Sequence, residues 1–324
     1  DKHFGWIKKR QSRGVQHTIM FAYPVISMSI MLIVGIVLYM RFSTLSREEM
    51  VQSTEKLMEQ TGENLEDYLV SMRQISDAVY YNVIKENDFT SQEQGIRTGM
   101  HLLYEANKDN LQTIALYDSD GNLMAAEPVA DEKACIEVAR QSWYMRAAEE
   151  MENMHFSAPH IQNLFDDGSQ RYYWVISLSR VVEVTDKGVS QPGVLLVDMD
   201  YSAISRMMNQ INTSNNGQYY YLCDRNGEII YHPRQIQISD GISNENSGTV
   251  SEYKDGIYNE TFEGQSRQVV VNTISYTGWK LVGVIPNSAY TSGMLNVRYF
   301  IILVMLLMAM MLVIINRMIS ARIS

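Results

Sequence analysis

Two long uncharged runs lie near the two ends of the chain. Ile19–Met40 holds 22 residues without a charge and Tyr299–Ile315 holds 17, each close to the roughly 20 residues that cross about 30 Å of hydrocarbon. Pro24 would kink a soluble helix but is tolerated in a membrane span. No small-x-small cleavage site follows the first run, so the pattern predicts two membrane helices and no removed leader. Between them the period changes. Over residues 44–86, Leu65, Leu69, Met72, Ser76, Val79 and Val83 fall at three- and four-residue steps, with Glu63, Glu66, Asp67 and Arg73 between them. That is an amphipathic helix, a stalk on the order of 65 Å long if wholly helical. Its seam could pack on its own domain or on a second copy.

Past Asn87 the pattern turns to short apolar runs broken by turns. Leu111–Tyr117, then Asp118-Ser119-Asp120-Gly121, then Asn122–Ala126 reads as a hairpin, since Asp-Gly between apolar runs is a strong turn signal. The same order returns at Tyr219–Cys223, Asp224-Arg225-Asn226-Gly227 and Glu228–Tyr231. Strand pairs follow each hairpin: Tyr172–Arg180 with Gly193–Asp200, and Val269–Ser275 with Trp279–Ile285. One pattern met twice predicts tandem α+β modules, each an antiparallel sheet with helices on one side. Asp118 and Asp120 resemble half of a calcium loop, but Val129 stands where the twelfth-position glutamate belongs, so no metal is expected there.

Charge then orients the pattern. The net charge is −10, which excludes nucleic acid as the main partner. Residues 1–13 carry five basic side chains against Asp1, and Arg317 and Arg322 follow the second run without an acid, leaving 20 basic and 36 acidic residues between 41 and 298. Short basic flanks place both termini in the cytoplasm and 41–298 outside it. Two cysteines, Cys135 and Cys223, do not make a disulfide scaffold and read as separate buried thiols. No phosphate-cradling glycine loop, nucleophile elbow or acid–base pair is present. The chain is therefore expected to be no enzyme and to need no cofactor.

Span, long helix, hairpin, Trp143-Tyr144, the Trp174–Arg180 strand, Asp198, a second module with Asn226–Pro233 and a second span resemble, in that order, the double-Cache, PAS-like extracytoplasmic sensors of bacterial signalling receptors. Trp174–Arg180 and Gly227–Pro233 look closest to those of YesM-type sensor histidine kinases. The resemblance implies a cytoplasmic N-terminus (1–18), a first span (19–40) and a stalk helix (41–89). A membrane-distal module (90–205) and a membrane-proximal one (206–298) follow, then a second span (299–315) and the start of a HAMP-like linker (316–324). It also implies a homodimer whose output passes from a kinase core to a response regulator. Chemotaxis receptors and diguanylate cyclases share the sensor.

The stretch Trp143–Asp200 gathers aromatic, histidine and carboxylate side chains, the means of recognising a small polar ligand such as a sugar, organic acid or amino acid. The expected ligand-binding residues are Arg140, Trp143, Tyr144, His160, Tyr173, Trp174, Asp198 and Asp200. Amino-acid-binding members have a tyrosine and an arginine ahead of the Trp-Tyr pair, with the arginine two residues before the tryptophan. Here Gln141 holds that place, Arg140 precedes it, Ile136 stands in place of the tyrosine and His160 lies near a later tyrosine. Asp198 ends an apolar run, where a carboxylate needs a partner. Asp200 could instead cap a helix at Ser202. His155 and His160 lack a third clustered ligand, so no metal site is expected. Asp224 and His232 read as turn and packing residues.

Overall fold

The computed structural model describes residues 2–133, 136–149, 154–166, 173–213 and 217–323. The chain forms two compact units, one from the terminal segments up to Ser53 and from Pro286 onward, the other from Thr54–Ile285. In the first lie most of α1 (Lys2–Ala78) and α7 (Asn287–Ile323). Each contains a stretch long and apolar enough to cross a membrane, the second being Arg298–Ile315. Most of their large apolar side chains from Val25 to Met40 and from Tyr299 to Ile315 are exposed, as a lipid-facing surface requires. A Cβ added to Gly35 would lie 2.8 Å from Met305 Sδ, the close approach that small residues permit between membrane helices. The Arg47 guanidinium sits 4.6 Å from the Tyr290 ring centroid.

Thr54–Ile285 carries two antiparallel sheets. The expected seam is buried at Leu65, Leu69, Met72, Ser76, Val79 and Val83, but the helix does not run unchanged to residue 86. Val79–Ile84 is a π-helical turn, closed by Lys85 N–H donating to Tyr80 O at 2.8 Å. The wider turn brings Tyr80 and Tyr81 both beside the Arg180 guanidinium, 5.1 and 5.9 Å from their ring centroids. Helix α2 (Phe89–Asn107) follows, its N-terminus capped by the Asp88 carboxylate, which accepts from Thr90 and Ser91 N–H.

The first sheet is built from β1 (Leu111–Tyr117), β2 (Leu123–Glu127), β4 (His155–Phe156), β5 (His160–Ile161), β7 (Trp174–Asp186) and β8 (Val189–Asp200). A separate short pair joins β3 (Asp131–Glu132) to β6 (Phe165–Asp166). Strand order is β2-β1-β8-β7-β4, with β5 also on β7. The two long strands exceed the expected ones because residues 181–192 continue them as a hairpin. Lys187 (φ 52°) and Gly188 (φ 72°) form its two-residue turn, and Gly188 N–H donates to Asp88 Oδ2 at 2.6 Å.

After α4 (Ser202–Ile211), the second sheet runs β10-β9-β13-β12-β11, from β9 (Tyr219–Cys223), β10 (Ile229–Tyr231), β11 (Gly256–Phe262), β12 (Gln265–Thr273) and β13 (Lys280–Pro286). Helices α5 (Gln235–Ser239) and α6 (Ser247–Ser251) lie between β10 and β11. The repeated turn is real in both sheets. Asp118 Oδ1 accepts from Asp120 and Asn122 N–H at 2.9 and 2.8 Å, and Asp224 Oδ1 from Asn226 and Glu228 N–H at 2.8 and 2.7 Å. Gly121 (φ 85°) and Gly227 (φ 83°) supply the left-handed residue of each. Cys223 is buried with a free thiol, which burial pushes up to about 12; Cys135 lies outside the described residues.

Candidate functional site

The pleat of the first sheet sorts its residues onto two faces. One carries Ile114, Leu116, Ile176, Leu178, Leu195 and Val197, all buried, and the sheet packs on α2 and the π-helical turn. The opposite face carries Ala115, Tyr117, Val194 and Leu196. It is covered by a lid that holds β3, the turn Val138–Arg140 and α3 (Ser142–Glu149), with Val138, Trp143, Tyr144, Ala147, Leu164 and Phe165 closing the core. Trp143 packs 5.6 Å from Tyr117 and edge-on to Tyr144 at 5.8 Å. Tyr144 donates its hydroxyl to Asp118 O at 2.8 Å, and Ser179 donates to Trp143 O at 2.9 Å. The lid is therefore pinned to both the turn and the sheet.

Under this lid the apolar face gives way to a polar row. A β-bulge between Leu111 and Thr113 sets Thr113 opposite Asp198, and Ser177 lies opposite Asp198 on the other side. Asp198 is 1% exposed and accepts a short hydrogen bond from the Ser177 hydroxyl. His160 Nε2 lies 3.3 Å from Ser177 Oγ, and His160 Nδ1 lies 3.0 Å from Ala158 O. Burial pushes Asp198 up to about 6, against the opposing pull of the Ser177 hydrogen bond and the nearby His160.

Two more oxygens face the same core without partners. The Tyr117 hydroxyl is fully buried and unpaired, as is Glu132 Oε1. Burial first, and then the Glu132 and Asp198 charges, push the Tyr117 phenol far above its ordinary range. Burial likewise raises Glu132. Native proteins seldom leave such groups unpaired, and a carboxylate-rich set of this kind suits a ligand with several N–H donors. Beside it a cavity of about 290 Å³ opens between α3 and the β4–β5 segment, lined by Gln141, Trp143, Arg146, His160, Asn163 and Ser179.

The structure brings together Trp143, Tyr144, His160 and Asp198 of the expected set. It does not bring in the other four. Arg140 projects to solvent with its side chain 81% exposed, paired with Glu137 at 2.6 Å. Trp174 is on the opposite face of β7, 48% exposed, with its ring 6.5 Å from Tyr201. Tyr173 lies just before the strand and offers its carbonyl to Gln162 N–H at 2.8 Å. Asp200 caps α4, accepting from Ser202 N–H at 2.7 Å. Sequence reasoning passed over Tyr117, Glu132, Ser177 and Arg146. Even spacing from Thr113 placed Tyr117 on the same face, and the alternation of Trp174–Arg180 did the same for Ser177.

A family profile described as the Cache domain, dCache_1, matches residues 42–294. The chain belongs to the Cache-domain family. No curated protein matches it by sequence. Several solved structures resemble it in fold. The ligand-binding domain of the *Pseudomonas aeruginosa* PAO1 amino acid chemoreceptor PctB, in complex with L-Arg, aligns with TM-score 0.56 at 16% identity over 76% of this chain and 91% of its own. The ligand-binding domain of Mlp24 with asparagine aligns at 0.54 and 15% identity over 78% and 98%. The *Pseudomonas fluorescens* chemoreceptor CtaA, in complex with L-isoleucine, aligns at 0.53 and 16% identity over 76% and 96%. At these identities the likeness is one of fold. The Cache fold accounts for the two tandem sheets, and the lid face of the first holds the candidate site.

Proposed function

We propose that this chain is the sensing and membrane-anchoring part of a two-pass receptor, with 41–298 outside the cytoplasm and both termini inside. Its ligand is a small polar molecule bearing an ammonium group, held under the α3 lid. The observation that carries this reading is the buried Asp198–Ser177–His160 row beside the unpaired Tyr117 and Glu132 oxygens. An ammonium supplies the donors these groups lack. The solved neighbours in complex with L-Arg, asparagine and L-isoleucine support an amino acid. Gln141 replaces the arginine expected two residues before Trp143, and Arg146, lining the same cavity from the next turn of α3, is the residue we assign to the ligand carboxylate.

Signalling requires the ligand to favour one of two arrangements of the helices that lead to the spans. For the output we favour a homodimeric sensor histidine kinase acting on a response regulator, on the resemblance of Trp174–Arg180 and Gly227–Pro233 to YesM-type sensors. The chemoreceptor neighbours support a chemotaxis output as the second reading. Ligand-dependent autophosphorylation of the full-length receptor in membranes separates the two.

The test of the site is a thermal-shift screen of the chain in nanodiscs against the amino acids, with sugars and organic acids beside them. A ligand at 100 times its Kd adds about 2.7 kcal/mol. A hit abolished by Asp198→Ala and by Trp143→Ala is the expected result. A hit that survives both changes overturns the assignment.

A further inference from the structure

A second cavity, of about 710 Å³, opens between the first sheet, the second sheet and the stalk helix within Thr54–Ile285. Its charged lining is unbalanced among the described residues: Arg73, Arg146, Arg180 and Arg225 face it, with Asp77 and Asp224 as the acids. The Asp224 carboxylate is engaged by its own turn, through Asn226 and Glu228 N–H. Asp77 is shared between Arg180 Nη1 at 2.7 Å and Arg73 Nε at 3.4 Å. That leaves a surplus of positive charge in a recess walled by the aromatic rings of Phe156, Tyr276 and Trp279.

Arg180 gives the independent sign that something is to be bound. Its side chain is only 9% exposed. Nη2 donates to Ser76 O at 3.1 Å, yet the buried Nε has no hydrogen-bond partner. A buried guanidinium with an idle N–H is costly, and a planar fork of this kind matches a carboxylate or phosphate oxygen pair. The remaining arginines come from three different elements: Arg73 from α1, Arg146 from the lid helix α3, and Arg225 from the β9–β10 turn, where its Nε donates to Thr277 O at 2.6 Å.

We propose that this inter-sheet cavity is a second ligand site, for a small organic or inorganic dianion bearing carboxylate or phosphate groups. It borders the ammonium site under the lid but rests on Arg73, Arg180 and Arg225, which that site does not use, and so does not depend on that reading. Arg146, His155, Phe156 and Ala158 line both cavities, so occupation of one site alters the affinity of the other, and by the same factor in each direction.

The test uses the full chain in zwitterionic nanodiscs, with citrate, succinate and inorganic phosphate as probes in calorimetric titrations. At least one probe is expected to bind, more weakly as NaCl is raised, with Kd increased roughly tenfold or more by Arg73→Gln and by Arg225→Gln. Arg140→Gln, an exposed arginine paired with Glu137 that lines neither cavity, is expected to leave that Kd within about twofold. Absence of binding by every probe overturns the proposal, as does binding indifferent to both arginine changes. Binding lost with Asp198→Asn but kept in the arginine variants places the anion under the lid and also overturns it. Dianion binding without any amino-acid hit sinks the ammonium reading and leaves this one standing.

Discussion

Glu245 in the second sheet's domain permits a stability calculation from the structure alone. Its side chain and that of His232 are fully buried, and Arg267 is 7% exposed. Oε1 lies 2.6 Å from Arg267 Nη2 and accepts Asn246 N–H at 3.0 Å. Oε2 accepts the Tyr219 hydroxyl at 2.8 Å and lies 3.2 Å from His232 Nε2. Burial alone would raise this carboxyl, but His232 and Arg267 outweigh it and hold the group down at about 2, against an ordinary value of 4.5. A depressed carboxylate stabilises the fold above the unfolded value and loses that contribution as pH falls from about 4.5 toward 2. At 1.36 kcal/mol per unit the contribution is about 3 kcal/mol at pH 7. Removing one partner of a buried pair costs roughly 3–5 kcal/mol. Glu260 stays bonded to Arg267 Nε at 2.6 Å, so the lower end applies to Glu245→Gln. For a unit of this size that is a fall in Tm of roughly 6–12 °C. The assay is thermal unfolding of the full chain in nanodiscs by tryptophan fluorescence, at pH 7 and in steps down to pH 3. The gap between wild type and variant should be widest at pH 7 and narrow below pH 4.5. A variant within about 2 °C of wild type at pH 7, or a gap that does not narrow in acid, refutes the reasoning.

Asp198 under the lid should show the opposite sign. Asp198 has a raised folded value, so it favours folding at low pH and its cost grows as pH rises from about 4 through 6. Asp198→Asn should raise Tm at pH 7 by several degrees while abolishing ligand binding; an unchanged or lower Tm would count against a strained carboxylate. Tyr117→Phe removes an unpaired buried hydroxyl and should leave Tm equal or higher, with ligand Kd raised roughly five- to tenfold if that hydroxyl meets the ligand. Gly35→Leu should drive apart the helices at the Met305 contact, read as lost disulfide cross-linking between cysteines placed at Val34 and Val304, while Gly35→Ala keeps most of it.

Much of this architecture could be read from periodicity. The seam of α1, the hairpin before Asn122 and its repeat at Asp224 rest on local rules that tertiary structure did not override. The misses have physical causes. Lys187-Gly188 closes a hairpin without the Asn-Gly or Asp-Gly signal, so the extension of β7 and β8 was invisible. Helix α2 buries only Phe89, Ile96 and Met100 and holds two glycines, too thin an apolar stripe to announce a helix. Strand β11 is a half-exposed edge. In the site, proximity in sequence misled. Arg140 is turned outward by the 3-10 turn before α3, and Trp174 has the wrong parity relative to Ser177. Glu132 reaches the site only because the lid folds back over the sheet, which no local pattern records; Tyr117 was legible from the alternation of β1 but reads as an ordinary core aromatic.

The repeated Asp-x-(Asp/Asn)-Gly turn serves as a support in both sheets. In the first sheet a Cβ on Gly121 would meet Ala139 N at 3.0 Å, and in the second a Cβ on Gly227 would meet the Gly248 Cα at 2.6 Å. In each half the turn is a seat for a later helical segment, the Val138–Arg140 turn in the first and α6 in the second. The first copy also holds the lid through Tyr144, whereas the second faces the cavity between the sheets. One seat thus carries two different covers, so the segment between the turn and the long strands can differ while the sheet beneath keeps its geometry.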